Sequence, residues 1–186
     1  MQIETHGLHP ATELCFMALA WLQEQENAPS FANILDVGCG NGILSVLCAH
    51  LWDAQILALD IAEQAVLDTK NRVQAENLTD IIMVLRADGF KNPDILARAP
   101  YDLILINLLA EPIFSWAAEV KTHLAAGGYV YLGGILQWKY EGVAAAYTGL
   151  GFEIAKEFRS QPWLGMLLRP KYDSVDTKNT PPVTKP

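Results

Sequence analysis

A chain of 186 residues, 51% of them hydrophobic, has the length and apolar content for one domain with a real core, which excludes global disorder. A formal net charge of -8 disfavours direct binding of a nucleic-acid backbone, and no apolar run reaches the roughly 20 residues of a membrane span. Cys15, Cys39 and Cys48 are odd in number and lack Cys-x-x-Cys spacing, which argues against disulfides and zinc and suits a reducing, cytoplasmic setting.

The opening Met-Gln-Ile-Glu-Thr-His lacks the basic-then-apolar order of a signal peptide. Glu4 to Thr12 reads as a loop, with Pro10 suited to the first turn of a helix that continues from Glu13 to Trp21. His6 and His9 could begin a metal site, but no third ligand accompanies them, and no metal is expected. Gln23 to Phe31 is a polar connection broken by Pro29.

Ile34 to Leu47 carries the chemistry. Ile34 and Leu35 end an apolar run that suits a buried strand, and Ile43 to Leu51 reads as a helix. Between them Gly38, Gly40 and Gly42 allow a sharp turn and close approach of a ligand to bare backbone. A dinucleotide fingerprint would space its glycines Gly-x-Gly-x-x-Gly. Here the spacing is Gly-x-Gly-x-Gly, and Asp36 stands two residues ahead of it. A carboxylate there repels a pyrophosphate and suits a ligand with a cationic amino-acid end, such as S-adenosylmethionine. Gln55 to Leu59 is a second strand, and Asp60 at its end sits roughly 20 residues past the glycines, the distance of an acid that grips ribose hydroxyls.

Ala62 to Asn77 reads as an amphipathic helix with Ala65, Val66, Thr69, Val73 and Ala75 facing inward. Ile81 to Leu85 is a third strand, followed by Asp88, which suits either an adenine amino group or a turn. Lys91 to Pro100 is a connector and Tyr101 to Ile106 a fourth strand. Asn107 then falls beyond a strand's carboxyl end, where open α/β sheets bind ligands. Its amide could accept from a substrate amine, or it could cap the next helix. Glu111 could face the site or merely start that helix, which is predicted over Ile113 to Leu124 with a stop at Ala125 to Gly128. Tyr129 to Leu132 is a fifth strand, and Lys139 to Leu150 a further helix. Phe152 to Phe158 and Gly165 to Arg169 have strand character and suit an antiparallel edge, with Trp163 just ahead of the second. One domain is expected over residues 1–171, with a disordered tail over 172–186.

Together these segments resemble the catalytic domain of the bacterial ribosomal protein methyltransferases that modify the eleventh protein of the large subunit. The matching stretches are Gly7-Leu-His-Pro-Ala-Thr12, Asp36 to Ser45, Asp60-Ile61, Asn107-Leu-Leu-Ala-Glu-Pro112, Gly133-Gly-Ile-Leu136 and Trp163. The glycine loop alone marks only the wider methyltransferase class, whereas the combination is much more specific. Three departures are read from the sequence: Ala11-Thr12 replaces a common Thr-Thr pair, the Gly-Thr usual near the start is not intact around Thr5 to Leu8, and the family's separate N-terminal recognition domain is not expected in this chain.

The resemblance implies an α/β fold, a doubly wound, mostly parallel sheet of about seven strands of the class I S-adenosylmethionine-dependent methyltransferase (Rossmann-like) type, ordered 3-2-1-4-5-7-6. It implies S-adenosylmethionine as donor, S-adenosylhomocysteine as product, and a protein amine as acceptor, in a basic or ribosomal protein substrate. Donor contacts would come from Thr12, Asp36, Gly38, Cys39, Gly40, Asp60, Ile61, Asp88 and Asn107. Asn107 would also be catalytic, with Leu108 and Trp163 meeting the substrate. The rival readings are a nicotinamide-dependent oxidoreductase, a module that holds S-adenosylmethionine without using it, and a small-molecule methyltransferase.

Overall fold

The computed structural model describes residues 7–171, so His6 and the tail expected to be disordered lie outside the described residues. The strands are β1 (Asn33–Val37), β2 (Gln55–Asp60), β3 (Ile82–Arg86), β4 (Tyr101–Asn107), β5 (Leu124–Leu136), β6 (Phe152–Ser160) and β7 (Trp163–Pro170). They form one sheet in the order β3-β2-β1-β4-β5-β7-β6, as the resemblance implied. The first five pair in parallel, while β7 runs antiparallel to β5 and β6.

The helices are α1 (Pro10–Gln23), α2 (Ile43–Leu51), α3 (Glu63–Ala75), α4 (Pro93–Arg98), α5 (Ala110–Ser115), α6 (Ala117–His123) and α7 (Tyr140–Thr148). They divide between the two faces because the central strands are apolar on both sides. Ile34, Leu103 and Leu105 point into a core with α1, α2 and α3, whereas Leu35, Ile104 and Ile106 point into a second core with α4 to α7. In α1, Leu14, Cys15, Ala18, Leu19 and Leu22 recur at helical spacing and are all buried. The alternation also fixes the site. Asn107 shares the parity of Leu103 and Leu105 and so belongs to the α1 face.

Several expected elements differ. Helix α1 begins at Pro10, because His9 caps it by accepting from the Ala11 amide at 3.3 Å. The connector after Lys91 contains α4, capped by the Asn92 side chain and buried through Ile95. The single helix expected over Ile113 to Leu124 is two, broken at Trp116 (φ -96°, ψ 7°), whose indole lies against Gly89. Strand β5 already starts at Leu124, which pairs with Tyr101 ahead of a register shift. Trp163 is the first residue of β7, which is interior, so β6 alone forms that edge. In α3, Val66, Thr69 and Val73 are buried, but Ala65 is half-buried and Ala75 exposed.

Strand β5 changes register against β7 between Leu132 and Ile135, at Gly133-Gly134. Such a bulge bends a strand and re-aims what lies beside it. Here it admits the loop after β4, for Gly134 (φ +72°) faces the Leu108 carbonyl so closely that a Cβ would sit 2.3 Å from its oxygen. We expect Gly134→Ala to cost more than about 2 kcal/mol, left-handed strain plus a backbone clash, and to lower the melting temperature by ~5 °C or more. Gly151→Ala is the control. Gly151 also has positive φ (+91°), but no atom lies within 4 Å of its would-be Cβ, so that variant should lose clearly less in the same thermal melt.

Candidate active site

The β1–α2 turn is held by hydrogen bonds that cross to β2 and α3. The amides of Gly38 and Cys39 both donate to the Leu59 carbonyl, at 2.8 and 3.0 Å. Gly38, Gly40 and Gly42 all take positive φ, +78°, +58° and +76°, which glycine alone adopts freely. Asp60 braces the turn: Oδ2 accepts from the Gly40 amide at 3.0 Å and Oδ1 from the Ala62 amide at 2.9 Å. Thr69 clamps it from α3 by donating to the Gly40 carbonyl at 2.9 Å.

Two clefts open at the carboxyl edge of the sheet. The first, about 270 Å³, lies on the α4–α6 side and includes Gly38, Asp60, Ile61, Asp88, Leu108 and Trp116 in its lining. Two carboxylates therefore stand in a largely apolar wall, a composition that suits a nucleoside. Asp88 is exposed and ion-paired with Lys91, and its side chain caps nothing. Trp116 was missed by sequence reasoning. Its contact with Gly89 spans 27 residues, and only its identity as a large aromatic could have raised it.

The second cleft, about 320 Å³, lies on the α1 side and is lined by His9, Ala11, Thr12, Asn107, Leu108, Leu109, Gly134 and Trp163. It gathers the His-Pro, Asn-Leu-Leu and Gly-Gly segments with Trp163, which are far apart in the chain. Asn107 Nδ2 donates to Thr12 Oγ1 over a long 3.5 Å, while Oδ1 is buried and has no partner. The capping alternative for Asn107 fails, since α5 is preceded by Leu109 as N-cap and no side chain caps it. His9 packs edge-on against Trp163 at 4.9 Å between ring centroids. No Asp, Glu, Lys or Arg lines this cleft, among the described residues. Glu111 instead pairs with Lys139 at 3.1 Å. Leu108 is the wall common to both clefts.

Asp36, Cys39 and Gly40 do not line either cleft. Cys39 is buried with its sulfur 3.3 Å from Thr69 Oγ1, and burial pushes its thiol up to about 12. Asp36 lies under the glycine turn, 1% exposed, with Oδ2 accepting from the Ser45 hydroxyl at 2.5 Å. Burial raises its carboxyl from 3.8 to about 6, against the opposing hydrogen bond from Ser45. Among the described residues it has no ion-pair partner.

The family model described as ribosomal protein L11 methyltransferase matches residues 5–171. The chain belongs to the ribosomal protein L11 methyltransferase family. It is 36% identical to the ribosomal protein L11 methyltransferase of Bradyrhizobium diazoefficiens, over 88% of this chain and 54% of that protein. It is 32% identical to that of Brucella suis, over 88% of this chain and 56% of that protein. The chain thus spans about half the length of the curated relatives it matches. A crystal structure of the ribosomal protein L11 methylase of Lactobacillus delbrueckii subsp. bulgaricus superimposes with a TM-score of 0.79 at 23% identity, covering 89% of this chain and 81% of that one. The family and the strand order together give the fold as the class I, Rossmann-like methyltransferase type.

The position of Asp36 has a measurable consequence. Its folded carboxyl titrates near 6 and its unfolded one near 3.8, so it favours the fold at low pH. That contribution is lost as pH rises from about 4 to about 6, by roughly 3 kcal/mol in all. Asp36→Asn keeps an acceptor for Ser45 and removes the charge. The variant should match the parent near pH 4 and exceed it by up to ~3 kcal/mol at pH 7 in urea titrations. A variant less stable than the parent at pH 7 would contradict the raised carboxyl.

Proposed function

We propose that this chain is a methyltransferase domain that binds S-adenosylmethionine and methylates an amine of a protein, a ribosomal protein being the leading candidate. The observation that carries the proposal is the pair of clefts meeting at Leu108, one holding Asp60 and Asp88, the other holding Asn107 in a wall without carboxylates. The relatives bear the name ribosomal protein L11 methyltransferase, which supports the substrate class.

The residues present fit the donor. Asp60 uses each oxygen once on a backbone amide, which leaves lone pairs for two ribose hydroxyls. Ile61 and Trp116 offer apolar flanks for a base, and Asp88 an acceptor for its amino group. Asp36 acts from beneath the turn, where its charge favours an ammonium and opposes a pyrophosphate. This disfavours the nicotinamide alternative. The bound donor supplies an activated methyl group, so the chain's task is positioning and exclusion of water.

An acceptor amine attacks only when neutral. The second cleft, with no carboxylate among its lining residues, favours that form and offers no counter-ion to hold the ammonium. Thr12 and Asn107 orient the amine toward the first cleft, with Leu108 and Trp163 holding its aliphatic stem. The attacking lone pair forms the C–N bond as the C–S bond breaks, and the amine's proton leaves to water. The catalytic unit is taken as residues 1–171, acting in the cytoplasm. No helix among the described residues is long and apolar enough to cross a membrane.

S-adenosylmethionine and S-adenosylhomocysteine should both raise the melting temperature, and NAD should not. At about 100 times its dissociation constant a ligand adds ~2.7 kcal/mol. A larger shift with NAD would remove the cofactor assignment. Asn107→Ala should keep donor affinity by calorimetry and slow methyl transfer from labelled donor, with purified large-subunit proteins as acceptors, on the order of 10²-fold. Unchanged transfer would take Asn107 out of the acceptor site and leave a donor-binding module or a small-molecule enzyme as the better account.

A further inference from the structure

We propose that Tyr131 is the positioning partner of Asn107, its buried hydroxyl setting the orientation of the Asn107 amide directly or through a single water. Among the described residues, two buried side-chain polar atoms lack a hydrogen-bond partner: Asn107 Oδ1 and Tyr131 Oη. Buried polar groups are rarely left so, and a pair of neighbouring orphans calls for one account. They are neighbours across Gly133. A Cβ built there would stand 2.6 Å from Asn107 Oδ1 and 2.8 Å from Tyr131 Oη. These distances are together no longer than two ordinary hydrogen bonds, so at most one water fits between the oxygens.

The slot is built by glycine. Asn107 pairs with Gly133 in the β4–β5 ladder, and Gly133 lies in the β5 bulge. Without a side chain there, the amide and the phenol both reach the same point. A Cβ at Gly165 on β7 would stand 2.3 Å from Tyr131 Oη, so the ring tip lies over two glycines, one in β5 and one in β7. Tyr131 is 0% exposed, and its hydroxyl cannot turn to bulk water. Phenylalanine would fill the same slot without desolvating a hydroxyl, so packing alone does not account for tyrosine.

A phenol can donate to Oδ1 or accept from Nδ2, so Tyr131 supports either orientation of the amide. Thr12 stands at the other end of the same amide, 3.5 Å from Nδ2. The two hydroxyls bracket Asn107 from the core and from the cleft. Binding of an amine at the cleft end then selects one orientation, and Tyr131 stabilises it from the core end. The role in transfer rests on Asn107 orienting the acceptor, as proposed above; the pairing of the two side chains does not.

Tyr131→Phe tests both parts in the full chain, with melting temperature, S-adenosylhomocysteine affinity and transfer kinetics as readouts. The expected result is unchanged affinity, kcat lower by on the order of 10-fold with little change in KM, and no further loss when the change is added to Asn107→Ala. Tyr131→Phe should leave or lower the melting temperature of the parent. In the Asn107→Ala background, where the hydroxyl has truly lost its partner, it should raise it. An equal rise in both backgrounds, or full kcat in Tyr131→Phe, would overturn the proposal. If the parent transfers no methyl group, the function reading fails, and the melting comparison alone decides whether Tyr131 and Asn107 are partners.

Discussion

The carboxylate of Asp60 is the joint on which the site depends. One oxygen holds the glycine turn through Gly40 and the other holds the start of α3 through Ala62. Both are charge-assisted bonds to backbone amides, which are stronger than neutral ones. They tie the β1–α2 turn and the start of α3 to one side chain at the end of β2. Glycine at 38, 40 and 42 supplies the positive φ that the turn needs, and Asp60 fixes the turn against the start of α3.

A second constraint operates where β4 meets β5. Gly38, Gly133 and Gly134 each lie against the Asn107-Leu108 loop at distances a side chain would not allow. This packing places Leu108 between the clefts and keeps Asn107 on the α1 face. The two clefts thus lie on opposite faces of the sheet and meet at its carboxyl edge. That geometry suits the proposed reaction, in which two molecules approach from different directions.

Much of this was legible in the residues. The turn and the end-of-strand positions of Asp60 and Asn107 follow from apolar runs and glycines, which are local signals, whereas the strand order came from the family resemblance that the motifs carry. The errors fell where tertiary contacts override local preference. Residues 113–124 have a continuous helical pattern, but Trp116 breaks it to pack on Gly89. Asp36 was expected to face the ligand, and the structure buries it beneath the turn with Ser45. Spacing reports that a carboxylate precedes the glycines. It does not report which side of the turn the carboxylate lies on.

The sequence by itself determined the strands, the glycine turn and, through the motifs that carry the resemblance, the family and its fold class, because periodicity and motif spacing are properties of neighbours along the chain. Only the tertiary structure decided that Asn107 is not a helix cap, that Leu108 divides two clefts, and that Tyr131 stands next to Asn107. The last two depend on contacts between segments far apart in sequence, and on a bulge at two glycines whose register no local pattern specifies.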